Sequence, residues 1–159
     1  MSIFAEPAKD LARAACARWE GTPHADNMAA LGVGVSCIHF VAEVLFAARV
    51  LPRRVLPRYD PRAGMFGHVS MLQELSGHCL FCRDATGEPP DFGDILIWRT
   101  GGSSGHVGIV VDGRVWHSLA GRRVKSHAYD VCLFHVEQSV RLTNFGWKNW
   151  PDNLVVKTA

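Results

Sequence analysis

Asp112-Gly113 restricts the fold of this chain more than any other feature. The dipeptide suits a two-residue β-turn, because the turn that matches strand twist needs positive φ at both central positions. On either side lie His106 to Asp112 and Arg114 to Leu119, rich in Val, Ile and Trp, residues that fit a pleated surface. A two-residue turn fixes the register, so Val111 faces Arg114 and Gly108 faces His117. Side chains alternate along a strand, which puts His106, Gly108, Val110, Val115, His117 and Leu119 on one face. Val107, Ile109, Val111 and Trp116 take the other face, an apolar set suited to a core. His106 and His117 are then diagonal neighbours, about 7–8 Å apart at Cα. Only a glycine stands opposite His117, so both imidazoles can lean toward one point.

Other segments supply more strands. Ile95-Leu96-Ile97-Trp98 is a short apolar run bounded by turn residues and reads as a strand. Gly101 to Gly105 reads as a flexible loop opening onto His106. Val131 to Val136 and Ser139 to Leu142 read as further strands, and Leu154-Val155-Val156 as an edge strand. The first half has a different period. Pro7 opens a helix over Ala8 to Trp19, with Leu11, Ala12, Ala15 and Trp19 on one stripe and Gly21-Thr22-Pro23 as the stop. A second helix runs from about Cys37 to Val50, with Ile38, Val41, Val44, Leu45 and Ala48 on one face and Pro52 beyond its end. Leu51 to Gly67 reads as a connection over the surface, Phe66 to Ser76 as a short helix, and residues 78–93 as irregular. Helices followed by an antiparallel meander predict an α+β domain, one unit over residues 1–159.

The second helix begins with chemistry. Gly32-Val33-Gly34-Val35 leads into Ser36, a good N-cap, and Cys37 is the first helical residue. A sulfur there lies by backbone N–H groups that have no carbonyl in the preceding turn, and by the positive end of the helix dipole. Both favour thiolate over thiol. The plainer reading of any one free cysteine is a small buried hydrophobe, and of any one histidine an ordinary core or surface residue. Together the residues say more. A thiol nucleophile needs a base, and the base needs an acceptor that fixes its tautomer. Cys37, His106 and His117 can fill those roles if the helix start packs over the hairpin.

Three blocks then resemble one family, the NlpC-type cell-wall cysteine peptidases of the papain-like superfamily, and most of all the branch encoded with phage tails. Ala17-Arg18-Trp19-Glu20-Gly21-Thr22-Pro23 is similar to the family's lead-in. Gly32 to Cys37 with its helix is similar to the nucleophile block. Gly93-Asp94-Ile95-Leu96-Ile97-Trp98, His106-Val107-Gly108-Ile109-Val110 and Val115-Trp116-His117-Ser118 are similar to the strand block with two catalytic histidines. The blocks span roughly residues 12–124. The resemblance implies a papain-like/NlpC-like α+β fold, N-terminal helices with the nucleophile helix packed on a central antiparallel sheet. It implies hydrolysis of peptide-stem amides in peptidoglycan, often between D-glutamate and a diamino acid. It makes Cys37 the nucleophile, His106 the base and His117 the orienting residue, with the Cys37 N–H as an oxyanion donor. Ser36, His24 and Gly105 complete the set as candidates for substrate binding or the oxyanion site. Two positions depart from the pattern. Ser36 stands where the family usually has Asp, which removes a negative charge beside the sulfur. His24 stands where it usually has Tyr, so a phenol is lost.

The remaining signals narrow the classes. A formal charge of +2 does not argue for nucleic acid. The first nineteen residues carry Glu6, Lys9, Asp10, Arg13 and Arg18, which fits neither a signal peptide nor a membrane span. We therefore expect a protein that is cytoplasmic as synthesised and acts at the wall after delivery or lysis. Five cysteines in a chain of this length read as mostly reduced thiols, with Cys16 and Cys132 in the core. Cys79-Leu80-Phe81-Cys82 has metal or redox spacing near His68 and His78, but a structural zinc commonly takes four ligands and no second pair exists. Neither a metal nor a cofactor is expected. Arg122, Arg123 and Lys125 read as a solvated loop. No partner residue is assigned to His127 or His135, or a role to Trp147 and Trp150. The expected substrate is the peptidoglycan stem peptide, with a phage-tail or secretion-apparatus partner, or an immunity protein for an antibacterial effector. Two alternatives compete: a papain-like acyltransferase or lipid-acting thiol enzyme, and a non-catalytic tail or assembly module in which Ser36 and His24 mark decay of the site.

Overall fold

The computed structural model describes residues 3–60, 81–100, 104–129 and 136–143. Two helices precede most of the strands. Helix α1 spans Glu6–Trp19 and α2 spans Cys37–Ala47, with a two-residue ribbon, β1 (Ala29–Ala30) and β2 (Gly34–Val35), between them. The other strands are β3 (Phe81–Asp84), β4 (Ile95–Thr100), β5 (Ser104–Val111), β6 (Arg114–Ser118), β7 (Val124–Ala128) and β8 (Val136–Thr143). They form one sheet in the order β3-β8-β4-β5-β6-β7, with every neighbouring pair antiparallel. The expected α+β layout, helices packed on an antiparallel sheet, is the observed one. The meander holds for β4 to β7. β8 then leaves it and returns to pair with β4 on the far side.

Pro7 lies in the first turn of α1, where its missing N–H costs nothing. Ala12, Ala15, Cys16 and Trp19 recur at three- and four-residue steps and are buried; Leu11 lies at the margin of this stripe and is partly exposed. Helix α2 is apolar on most sides, with Ile38, Phe40, Val41, Ala42, Val44, Leu45 and Phe46 all buried, as expected of a helix enclosed by its domain. It ends earlier than the periodicity suggests. Arg49 takes φ 61°, a left-handed conformation that ends helical bonding, and its N–H bonds the Phe46 carbonyl at 3.0 Å.

The core lies between α1, α2 and one sheet face. Ile95, Ile97, Val107, Ile109, Val111, Val140 and Leu142 join the helix residues in one cluster. Leu96, Val110 and Val115 form a smaller one on the other face. The segment after α2 differs from its sequence reading. Leu51, Leu56 and Tyr59 are buried in the main cluster rather than crossing the surface. Asn27 holds the segment in place: its Nδ2 donates to the Tyr59 carbonyl and its Oδ1 accepts from the Tyr59 N–H, both at 2.8 Å.

The hairpin forms as expected, with Asp112 at φ 52° and Gly113 at φ 72°. Asp112 also takes two bonds from the Arg13 guanidinium, at 2.7 and 2.9 Å, which tie the turn to α1. The expected register holds from Val111–Arg114 to Ile109–Trp116, and the β5–β6 ladder runs no further. The Gly108–His117 pairing therefore does not form. Each strand continues on its outer side, β5 along β4 to Ser104–Thr100 and β6 along β7 to Ser118–Val124. The sheet opens as a V between them. The chain leading into α2 fills the opening, and Ser118 Oγ donates to the Val35 carbonyl at 2.6 Å across it.

The short helix expected at 66–76 lies outside the described residues. So do Val131 to His135, the edge strand at 154–156, and Cys79, Cys132, His68, His78, His135, Trp147 and Trp150. Gly105, expected in a loop, lies in β5 opposite Arg99.

Candidate active site

Ser36 caps α2. Its Oγ accepts from the His39 N–H at 3.1 Å and lies 2.6 Å from His39 Nδ1. The cap fixes where helical geometry starts, and Cys37 follows at the first helical position. Because α2 starts inside the V, the sulfur meets the backbone N–H of Val107, the residue after His106. Cys37 is 1% exposed. Burial is the largest influence on its thiol and pushes it up to about 12, against the N–H groups of Val107, Ile38 and Cys37 itself, which pull it down. The helix start does favour thiolate, as its sequence position suggests, but desolvation outweighs it. At neutral pH the resting group is a thiol unless a neighbour removes its proton.

The two histidines meet. His106 Nε2 lies 2.8 Å from His117 Nδ1, with the rings edge to face and 5.0 Å between centroids. They meet just beyond the end of the β5–β6 ladder, where the separating strands leave room for both rings. His117 is fully buried, and burial lowers it to about 4, helped by His127 and Lys125. It is therefore a neutral imidazole at neutral pH, with one N–H to give and one lone pair to accept with.

A third ring was not expected. His127 Nδ1, on β7, lies 2.8 Å from His117 Nε2, with centroids 4.9 Å apart. The β6–β7 register pairs Val115 with His127 and His117 with Lys125, so His127 is a diagonal neighbour of His117. The same arithmetic would have found it had the strand over Val124–Ala128 been recognised. His127 is held below its ordinary value by burial first, then by Lys125, Arg114 and Arg122.

His24 sits beside these groups without joining the chain of rings. Its Nδ1 lies 3.2 Å from the Ser118 carbonyl and 3.1 Å from Ser118 Oγ, and its Nε2 lies 3.3 Å from Asp26 Oδ1. Tyr59, unremarked in the sequence, brings a phenol to the same neighbourhood. Its O–H donates to Asp26 Oδ1 at 3.2 Å. Burial raises it above its ordinary value, and the Cys37 sulfur is the next largest influence. Among the described residues no group of three or more His, Cys, Asp or Glu side chains is placed to hold a metal ion. No helix among them is long and apolar enough to cross a membrane.

No family model matches the chain, and no curated protein matches it. Solved structures do. A Staphylococcus aureus protein described as similar to lipoprotein of the NLP/P60 family superposes with a TM-score of 0.57 at 16% identity, over 87% of this chain and 42% of its own. NlpC2 of Trichomonas vaginalis gives 0.51 at 16%, over 85% and 46%. The NlpC/p60 domain of peptidoglycan hydrolase SagA gives 0.50 at 20%, over 83% and 97%. The chain thus spans less than half of two of these proteins and nearly all of the third. Its fold is that of the NlpC/P60 domains.

Proposed function

We propose that the protein is a cysteine amidohydrolase that cleaves peptide-stem amides of peptidoglycan, of the D-glutamyl–diamino acid type. The observation that carries this reading is the Cys37 sulfur set at the Val107 N–H, next to a His106–His117 pair bonded at 2.8 Å. Likeness in fold to the domain of a peptidoglycan hydrolase supports the choice of substrate.

His106 has one ring nitrogen on His117, so Nδ1 is the atom that serves as base. It takes the proton of Cys37 Sγ as the sulfur attacks the amide carbonyl. The Cys37 N–H, at the helix start, stabilises the oxyanion. The C–N bond breaks as His106 returns the proton to the leaving amine, which leaves a thioester on Cys37. His106 then takes a proton from water, the hydroxide attacks the thioester, and the released sulfur is reprotonated. A thiol that rests protonated needs this concerted removal. The protein reaches its substrate as a tail-carried or prophage lysin, or as an antibacterial effector.

Digestion of purified sacculi by wild type and Cys37→Ala, with fragments read by mass, tests the reading. New stem-peptide fragments from wild type alone are expected. Acyl-transfer products in their place, or no product from sacculi of differing stem chemistry, would overturn it in favour of the acyltransferase or the non-catalytic module.

A further inference from the structure

Three imidazoles, His106, His117 and His127, form a chain whose polarity depends on which tautomer each ring takes. We propose that His127 is a positioning residue: by accepting the His117 Nε2–H on its own Nδ1, it holds the chain in the one polarity that leaves His106 Nδ1 able to accept a proton. The proposal rests on Cys37 and His106 as the reacting pair and adds a residue to which the sequence assigned no role.

The contacts join His106 Nε2 to His117 Nδ1 and His117 Nε2 to His127 Nδ1, each at 2.8 Å. One proton lies between each pair of nitrogens, and every neutral imidazole carries a single proton. Two uncharged arrangements satisfy both bonds. In the first, each ring is protonated on Nε2 and gives that proton outward; His106 Nδ1 keeps its lone pair and can deprotonate Cys37. In the second, each ring is protonated on Nδ1 and gives it inward; His106 Nδ1 then carries the proton and has nothing to accept with. Passing between them moves one proton across each contact and exchanges one at each end, so no charge is created.

His127 decides between the two because it ends the chain. As the Nε2–H tautomer it accepts at Nδ1 and enforces the first; as the Nδ1–H tautomer it donates inward and enforces the second. As an imidazolium it would carry N–H on both nitrogens, donate inward and enforce the second. The groups facing it oppose that charge. Lys125 is on its own strand and Arg114 is on β6, where the guanidinium bonds Ser126 Oγ at 2.8 Å. Arg122 reaches it from the turn before β7, and burial adds to all three. Among the described residues the other ionisable contact is His117, which burial lowers. The same cations make the outer end a poor place for a proton arriving from His106. Positive charge formed during attack therefore stays on His106, beside the thiolate that it stabilises. The chain orients the base and does not drain its proton.

The test reads the thiol and needs no cell-wall substrate, so it stands whether or not sacculi are cleaved. The full chain is compared with two acceptor-free variants, His127→Phe, which keeps a ring, and His127→Val, which keeps a strand former. A third, His127→Asn, can place Oδ1 where Nδ1 was. Alkylation of Cys37 by iodoacetamide at neutral pH should slow about tenfold in the first two, in line with a lost orienting group, and should recover most of its rate in His127→Asn. Ring 15N resonances should show His106 Nδ1 without a proton in wild type and His127→Asn, and largely protonated in the Phe and Val variants. Wild-type rates in a folded acceptor-free variant overturn the proposal. So does a slower rate with an unchanged His106 tautomer, which is what loss of packing alone produces.

Discussion

Asp94 and His117 are polar side chains of the same sheet, 1% and 0% exposed, yet their surroundings differ in kind. Asp94 stands just before β4 and is met by charge. Arg141 on β8 gives it two bonds, Nε to Oδ1 and Nη2 to Oδ2, both at 2.8 Å. Arg141 continues to Glu88 at 2.9 Å and to the Pro89 carbonyl, and Arg83 clamps Glu88 at 2.6 and 2.9 Å. The Asp91 N–H also bonds Asp94 Oδ2. His117 meets the rings of His106 and His127, and burial with nearby cations lowers both His117 and His127. The carboxylate–guanidinium group fixes β8 against β4 and has its charges compensated in place. The imidazole group ends at His106, next in sequence to Val107, whose N–H meets the Cys37 sulfur. A carboxylate in place of His117 would have raised the basicity of His106 at the cost of a buried charge. A neutral imidazole orients His106 without that charge.

The comparison is broken most easily at the sulfur. Cys37→Ala should lower turnover by at least about 10⁴-fold, since it removes the attacking sulfur, while its urea midpoint stays near that of wild type. His106→Ala should cost about 10³-fold, toward the upper range for a general base. His117→Ala should cost about 10²-fold and leave more residual rate, because an orienting group acts through the base. Asp94→Ala should show the opposite division. Arg141 keeps Glu88 but loses both bonds to the buried carboxylate, so stability should drop by roughly 2 kcal/mol in urea unfolding, with the alkylation rate of the folded fraction unchanged. A large loss of thiol reactivity in that variant would show that the two groups are not separate.

Acid gives a sharper view of the neutral group. His117 is lowered to about 4 in the folded protein from an ordinary value of 6.5. The unfolded chain therefore binds the proton first, and stability falls as pH drops from about 6.5 to about 4, then levels off. The full loss is roughly 3 kcal/mol from a shift of that size. His117→Asn, which cannot titrate there, should flatten this part of the curve in thermal unfolding followed against pH.

Much of the candidate site's geometry was legible because it is local. The Asp112-Gly113 turn gave the strands, their register put His106 and His117 on one face, and Ser36 marked where α2 begins. What escaped is non-local or weakly patterned. Val124-Lys125-Ser126-His127-Ala128 is too polar to stand out as a strand, so His127 went without an assigned contact. β8 leaves the meander to find Asp94 through Arg141, a pairing that no short window contains. Tyr59 is held by Asn27, thirty-two positions earlier, in a stretch whose prolines and arginines read as surface. The early end of the β5–β6 ladder is likewise invisible to turn geometry, because α2 rather than the hairpin opens the V.

The most direct test is to trap the intermediate. The protein is mixed with soluble stem-peptide fragments, quenched in acid within the turnover time, and its mass and the modified residue are read. An acyl adduct on Cys37, formed by wild type and absent from His106→Ala at the same time point, is the predicted result. Cleavage of the fragments by Cys37→Ala, or an adduct carried by any other residue, would contradict the account.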